Sequence, residues 1–170
     1  GAGQADREDD AEETPAAATG KHIAVVGSGP AGLTAAYYLR MAGHAVTIYE
    51  MRDKLGGMLR WGIPDYRLPQ HLLDWEIQQI LDLGVDVKSG IEVGKDVLVD
   101  DLRKEYDALY LTIGAQAATS ARIKGEDHPG VLSGLDFLIG VKLGKADEYA
   151  VKGRNVVVVG GGNTAIDAAR

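Results

Sequence analysis

Apolar positions along the chain fall into short runs that alternate with stretches of helical spacing. The run His22–Gly27 (HIAVVG) is followed by a glycine turn and a helix-like stretch, Ala31–Ala42 (AGLTAAYYLRMA). Gly43 stops that stretch, and a second run, AVTIYE, ends on Glu50. Near-continuous Val/Ile runs of this length suit parallel strands buried on both faces. Glycine just past a periodic stretch suits a helix end. The pattern predicts strand–turn–helix–strand, a βαβ unit with a right-handed crossover. Further on, Leu55–Pro69 (LGGMLRWGIPDYRLP) is punctuated by Gly and Pro and predicts a loop. Leu72, Leu73, Trp75, Ile77, Ile80 and Leu81 stand near helical spacing and predict a helix over His71–Leu83, closed by Gly84. VDVKSGIEV then predicts a strand, Asp100–Glu105 a short helix, and Asp107–Gly114 a buried strand. A short helix is expected within Gly130–Gly144, a buried strand over Asn155–Val159, and a last helix from Thr164. Strands and helices in this alternation predict an α/β chain.

The residues before Lys21 break the pattern. Gly1–Gly20 carries six acids, one Arg and no large apolar residue, so it cannot bury a core and is expected to be a disordered acidic linker. The full 170 residues are 45% hydrophobic and 25% charged, an ordinary globular balance sufficient for one domain or one and a fraction. The net charge of −7 argues against a nucleic-acid or anionic-membrane surface, where Lys and Arg supply the affinity. With no Cys, these residues hold no disulfide, no thiolate metal site and no iron–sulfur cluster, so any redox chemistry must come from a bound cofactor. His22, His44, His71 and His128 lack ligand spacing, so no metal site is expected. No apolar run is long enough to span a bilayer and no signal-peptide pattern opens the chain; cytoplasmic residence is the expectation.

The turn between the first strand and helix reads Gly27-Ser28-Gly29-Pro30-Ala31-Gly32, which fits G-x-G-x-x-G. Gly27 permits the tight turn, Gly29 lets a pyrophosphate approach the backbone, and Gly32 lets helix and strand pack closely. The phosphates would then meet free N–H groups at the helix N-terminus. Glu50, at the end of the next strand and 23 positions after Gly27, can accept hydrogen bonds from a ribose diol. The glycines alone leave FAD and NAD open. The pair Gly56-Gly57, a few residues past the acid, favours an extended FAD running close to the backbone.

Beyond this point the residues resemble a known family. "VVGSGPAGLTAAYYLRMAGHAVTIYE…LGGMLRWGIPDYRLP" resembles flavoproteins of the glutamate synthase small-subunit type. It is also similar to the flavin module of dihydropyrimidine dehydrogenase and to the large subunit of NADH-dependent ferredoxin:NADP oxidoreductase. "DALYLTIGAQ", "GEDHPGVLSGLDFL" and "GGGNTAIDAAR" follow in the family's order, so the resemblance covers Lys21 to Arg170. It implies a Rossmann-like two-dinucleotide-binding flavoprotein fold, present in part: an FAD-binding segment over 21–150 and the start of an NAD(P)-binding domain over 151–170. By the same resemblance Gly29, Pro30, Ala31, Gly32 and Leu33 would hold the FAD pyrophosphate. Glu50, Met51 and Arg52 would sit at the adenosine ribose, Gly57, Met58 and Arg67 along the flavin side, and Val93 at the adenine end. Thr112-Ile113-Gly114 stands where relatives have Ala-Thr-Gly, a turn passing the FAD, and departs from that pattern at its middle residue. Arg67 is preferred over Arg60 as a cofactor contact by family position alone, since a loop Arg is usually solvated or paired and Asp65 is near. Trp61 and Tyr66 could lie beside the flavin, with core or loop packing the favoured reading of both.

The second glycine cluster, Gly160-Gly161-Gly162-Asn163-Thr164-Ala165, follows VVVV and opens a helix, with its third glycine relaxed to Ala. Gly161, Gly162, Asn163 and Thr164 would carry NAD(P)H. The residue that separates NAD from NADP belongs to a following strand that these residues do not reach. The resemblance further implies iron–sulfur clusters only in parts outside these residues or in partners, and a redox partner subunit or ferredoxin-like carrier to receive the electrons. Hydride transfer from NAD(P)H to the flavin is the implied chemistry, with no catalytic side chain assigned. The rival expectation is a non-catalytic nucleotide-binding fragment or assembly module, a role such folds also host.

Overall fold

The structure, a computed structural model, describes residues 14–170. Strand β1 (His22–Val26) leads through the first glycine turn into α1 (Pro30–Met41) and returns as β2 (Ala45–Glu50). A one-turn helix α2 (Met58–Trp61) and a longer α3 (Gln70–Asp82) precede β3 (Asp86–Ser89). Then come α4 (Val99–Glu105), β4 (Ala108–Leu111), α5 (Gly134–Lys142), a 3₁₀ turn over Ala146–Tyr149 and α6 (Asn163–Ala169). The four strands form one parallel sheet in the order β3-β2-β1-β4. The order changes direction between β1 and β4, and the first glycine turn lies at the carboxyl end of β1, where ligands of open parallel sheets bind.

Alternation along the central strands sorts the core into two layers. Val25, Val46 and Ile48 point to one face, where Leu33 and Ala36 of α1 and Leu73 and Ile77 of α3 cover them. Ala24, Val26 and Tyr49 point to the other, against Leu102 of α4 and Tyr106. Helix α3 buries one edge of its apolar set and leaves Leu72 and Trp75 exposed. On the second face the polar groups are paired: His22 Nε2 lies 2.9 Å from Thr47 Oγ1, and the Tyr49 and Tyr106 hydroxyls are 3.0 Å apart.

Three expectations need correction. The loop over Leu55–Pro69 contains the helical turn α2. Strand β4 is an edge strand whose Tyr110 and Leu111 are exposed, not a buried one, because no described element covers its outer side. The run Val156–Val159 pairs with no described strand and lies open, Val157 at 87% exposure; apolarity alone does not supply a sheet edge to pair with. Of the expected acidic linker, residues 1–13 lie outside the described residues. From Ala16 the chain is stitched to the turn between α1 and β2. The Ala16 amide donates to Met41 O at 2.9 Å, the Thr19 amide to Gly43 O at 3.0 Å, and Thr19 Oγ1 meets His44 Nδ1 at 2.7 Å.

Asp107 fastens the start of β4 to β1. It accepts from the Lys21 ammonium at 2.8 Å and from the His22 amide at 2.8 Å. The Lys21 hydrogen bond, then the His22 amide, hold the carboxyl below its usual range. A depressed folded value means the tie is complete above the ordinary aspartate range and is lost as pH falls through the lower folded value. Asp107→Ala should therefore speed hydrogen exchange at the His22 amide at neutral pH and flatten its acid dependence, a comparison amide-exchange NMR makes directly. An unchanged exchange rate would remove the tie from the account.

Candidate functional site

The first glycine turn is a packed object with one open side. A Cβ on Gly32 would overlap the Gly27 carbonyl oxygen and stand 2.8 Å from Thr112 Oγ1, so α1 rests directly on the turn. Thr112 braces the same point, its hydroxyl donating to Val26 O at 2.9 Å and Gly27 O at 3.0 Å. A Cβ on Gly29, by contrast, would meet nothing within 4 Å. Gly29 is the N-cap of α1, no side chain caps that end, and Pro30 follows it without an N–H of its own. The amides of Ala31 and Gly32 thus face the open side with no carbonyl inside the helix to receive them.

Glu50 lies beside this turn, 6% exposed. Its Oε2 accepts from the Ser28 amide at 3.0 Å and the Ser28 hydroxyl at 2.5 Å, and its Oε1 accepts from the Arg52 amide at 2.9 Å. A carboxylate offers about four acceptor positions. Among the described residues three are taken, which leaves one at Oε1. Ser28, fully buried, was not singled out from the sequence: it is a variable position of the fingerprint, and only the fold brings it to Glu50.

The Gly56-Gly57 pair has a task within the protein itself. The Gly56 amide donates to Ser28 O at 3.0 Å and Ser28 Oγ at 3.2 Å. Gly57 (φ 51°, ψ −132°) presses on the turn so closely that a Cβ there would lie 2.6 Å from Gly29 Cα. The loop that follows is fastened by Arg60. That buried guanidinium donates to Leu55 O, to Gln70 Oε1 at 2.9 Å and to Asp74 Oδ1 at 2.5 Å. Arg60 is thus a structural clamp between loop and α3. Arg52 stacks on Trp61, its Cζ 5.0 Å from the ring centroid, while Arg52 Nε and Trp61 Nε1 are buried without a hydrogen-bond partner among the described residues. Unpaired buried donors cost about 1–3 kcal/mol each, a cost an acceptor oxygen would offset.

The remaining expected residues divide by location. The segment after β3 crosses the end of β2, its Gly90 amide donating to Arg52 O at 2.9 Å and its Ile91 amide to Glu50 O at 3.0 Å, and this carries Val93 to the Glu50 side. Met51 is exposed there, and Leu33 is buried in the core. Met58 opens α2. Gly114 follows β4 with open space around it, and neighbouring Ile113 is 71% exposed. Arg67 is paired with α6: its Nη2 lies 3.1 Å from Asp167 Oδ1.

The second glycine cluster repeats the first with looser packing. Gly160 has φ 136°, and Gly162 is the N-cap of α6. A Cβ on Gly161 or Gly162 would meet nothing within 4 Å. At the third position Ala165 is tolerated because its Cβ faces the Cα of Gly160, where a second Cβ would stand 3.1 Å away. Asn163 and Thr164 form the first turn of α6.

A parallel sheet with a glycine turn at its switch point, an acid at the end of β2 and a second glycine cluster define a Rossmann-like fold of the FAD/NAD(P) flavoprotein class. The chain belongs to the pyridine nucleotide-disulphide oxidoreductase family, whose sequence profile matches residues 21–170. It is 44% identical over 161 residues to the NADP(+)-dependent formate dehydrogenase subunit beta of Moorella thermoacetica, a match covering 94% of this chain and 22% of that protein. It is 38% identical over 160 residues to the glutamate synthase [NADPH] small chain of Bacillus subtilis, covering 90% of this chain and 32% of that one. Among solved structures, FprA from Mycobacterium tuberculosis in complex with NADPH matches with a TM-score of 0.79 at 28% identity, over 88% of this chain and 36% of that one. The chain spans about a fifth of the first of these curated relatives and about a third of the second.

Proposed function

We propose that the chain forms the FAD seat of an NAD(P)H-dependent oxidoreductase of the glutamate synthase small-subunit type. The observation that carries this reading is the open side at Gly29. Gly27 and Gly32 of the first turn are packed against protein, whereas Gly29 opens on space at the head of a 12-residue helix, whose first amides have no partner inside the helix. The site also fits the cofactor's ribose end: Glu50 Oε1 has one acceptor position left, and Arg52 Nε is a buried donor in need of an acceptor. In this reading Gly27, Gly29, Pro30, Ala31, Gly32 and Leu33 form the pyrophosphate seat, Glu50, Met51 and Arg52 the ribose side, Gly56, Gly57, Met58 and Arg67 the flavin side, and Val93 and Gly114 the flanks. Gly160, Gly161, Gly162, Asn163 and Thr164 would take NAD(P)H.

When bound, FAD would supply the hydride-accepting ring. This chain's residues would bind and orient it. Electrons would leave to a partner subunit or an iron–sulfur carrier outside these residues, which contain no Cys to hold a cluster. The names of the relatives, a subunit beta and a small chain, support a role within a multi-subunit enzyme. Among the described residues no helix is long and apolar enough to cross a membrane, and a cytoplasmic setting belongs to the same proposal. The run Val156–Val159, unpaired among the described residues, favours the second reading, a nucleotide-binding module without turnover.

Titration with FAD separates these readings. The expected result is a yellow protein whose flavin absorbance band is bleached by NADPH or NADH. Uptake of FAD without bleaching supports the binding module. A protein that stays colourless when FAD is supplied overturns the FAD reading.

A further inference from the structure

Asp167 has an unusual position. It sits in the last turn of α6, a seven-residue helix of sequence NTAIDAA, with its side chain 6% exposed. A buried carboxylate must be paired. Among the described residues its side-chain partners come from the loop that seats on the first glycine turn: Arg67 Nη2 at 3.1 Å and the Tyr66 hydroxyl at 3.2 Å, which also lies 3.4 Å from Asp167 O. Arg170 closes the other side of Tyr66, its Cζ 4.6 Å from the ring centroid. The preceding loop residue, Asp65, pairs with Lys142 of α5, so three consecutive residues tie the loop to the carboxy-terminal helices.

The opposite end of the same loop lies on the first seat. Gly56 is hydrogen-bonded to Ser28, and Gly57 has no slack against Gly29. Arg60 holds the stretch between as one piece. We propose that Asp167 is a positioning residue that latches α6 to this loop, so that occupancy of the first nucleotide seat is felt at the helix opening from the second glycine cluster. The two states are a latched α6 and an unlatched one. Without the latch the buried carboxylate of α6 loses its partners. A ligand over Gly29 confines Gly57 and with it the loop, which favours the latched state. The proposal rests on the FAD reading of the first seat.

Hydrogen exchange of the α6 amides, measured on the full chain with and without FAD, tests it. In the wild type FAD should slow α6 exchange by about five-fold or more, the scale of ordinary coupling between sites. Asp167→Asn should abolish that slowing and weaken FAD binding by no more than the same factor, since coupling is reciprocal. Tyr66→Phe, a milder change, should remove part of both. In the absence of ligand, Asp167→Asn and the double variant Tyr66→Phe/Asp167→Asn should raise α6 exchange equally. A merely structural role would raise exchange in the free protein yet leave the response to FAD intact. That result, or wild-type α6 exchange indifferent to bound FAD, overturns the latch while sparing the FAD seat. A wild type that takes up no FAD overturns both.

Discussion

Gly32→Val should cost the chain about 4 kcal/mol or more of stability, in the exceptional range for a single substitution. The reason is that neither neighbour can yield. The new Cβ would overlap the Gly27 carbonyl oxygen and stand 2.8 Å from Thr112 Oγ1. Gly27 is held by its amide, which donates to Tyr49 O at 2.8 Å. Thr112 is held by its amide on Val26 O at 2.8 Å and by its hydroxyl on the same turn. Relief therefore means lifting α1 off β1, and with it Leu33 and Ala36 off Val25 and Ile48. Overpacking against movable side chains costs about 1–3 kcal/mol; here the obstacle is backbone. A domain holds only about 5–15 kcal/mol in total, so far-UV circular dichroism in urea should find the variant mostly unfolded or with its midpoint sharply lowered. A midpoint within experimental error of the wild type would mean that helix and turn are not in contact as described.

How much of this was legible in the sequence depends on how far apart the interacting residues stand. The βαβ unit could be read because its cause is local: alternating runs, a turn and a helical stretch lie within 30 consecutive positions. The glycine spacing could be read because close backbone approach leaves its trace as a missing side chain. The tasks of Gly56 and Gly57 could not, since their contacts, Ser28 and Gly29, lie on another turn. Sequence reasoning gave that pair to a ligand alone, whereas the fold gives it a protein neighbour as well. Arg60 and Arg67 were weighed by family position, but burial separates them: one clamps α3, and the other meets Asp167, 100 positions away. Apolar runs misled at β4 and Val156–Val159 for one reason. A run records that cover is wanted and says nothing about whether a neighbour supplies it.

Gly29→Val, three positions before Gly32, should give the opposite result: a folded protein with a ruined ligand seat. At φ −69° and ψ −176° Gly29 has a backbone open to any residue. Its Cβ would meet nothing within 4 Å, so no packing is lost. Exchanging glycine for a β-branched residue at an N-cap costs about 1 kcal/mol or less. The valine would instead fill the space in front of the Ala31 and Gly32 amides, where a pyrophosphate must come to accept their hydrogen bonds. Charge-assisted bonds are worth about 1.5–3 kcal/mol each. Loss of two would therefore weaken FAD binding by roughly a hundred-fold to ten-thousand-fold. Flavin fluorescence titration reads the affinity, and urea unfolding of the same sample reads the fold. FAD uptake within ten-fold of the wild type would mean that the pyrophosphate does not lie over Gly29. Because the two substitutions introduce the same side chain three residues apart, their difference isolates the open side of the turn: one valine meets protein, and the other meets only the volume assigned to the cofactor.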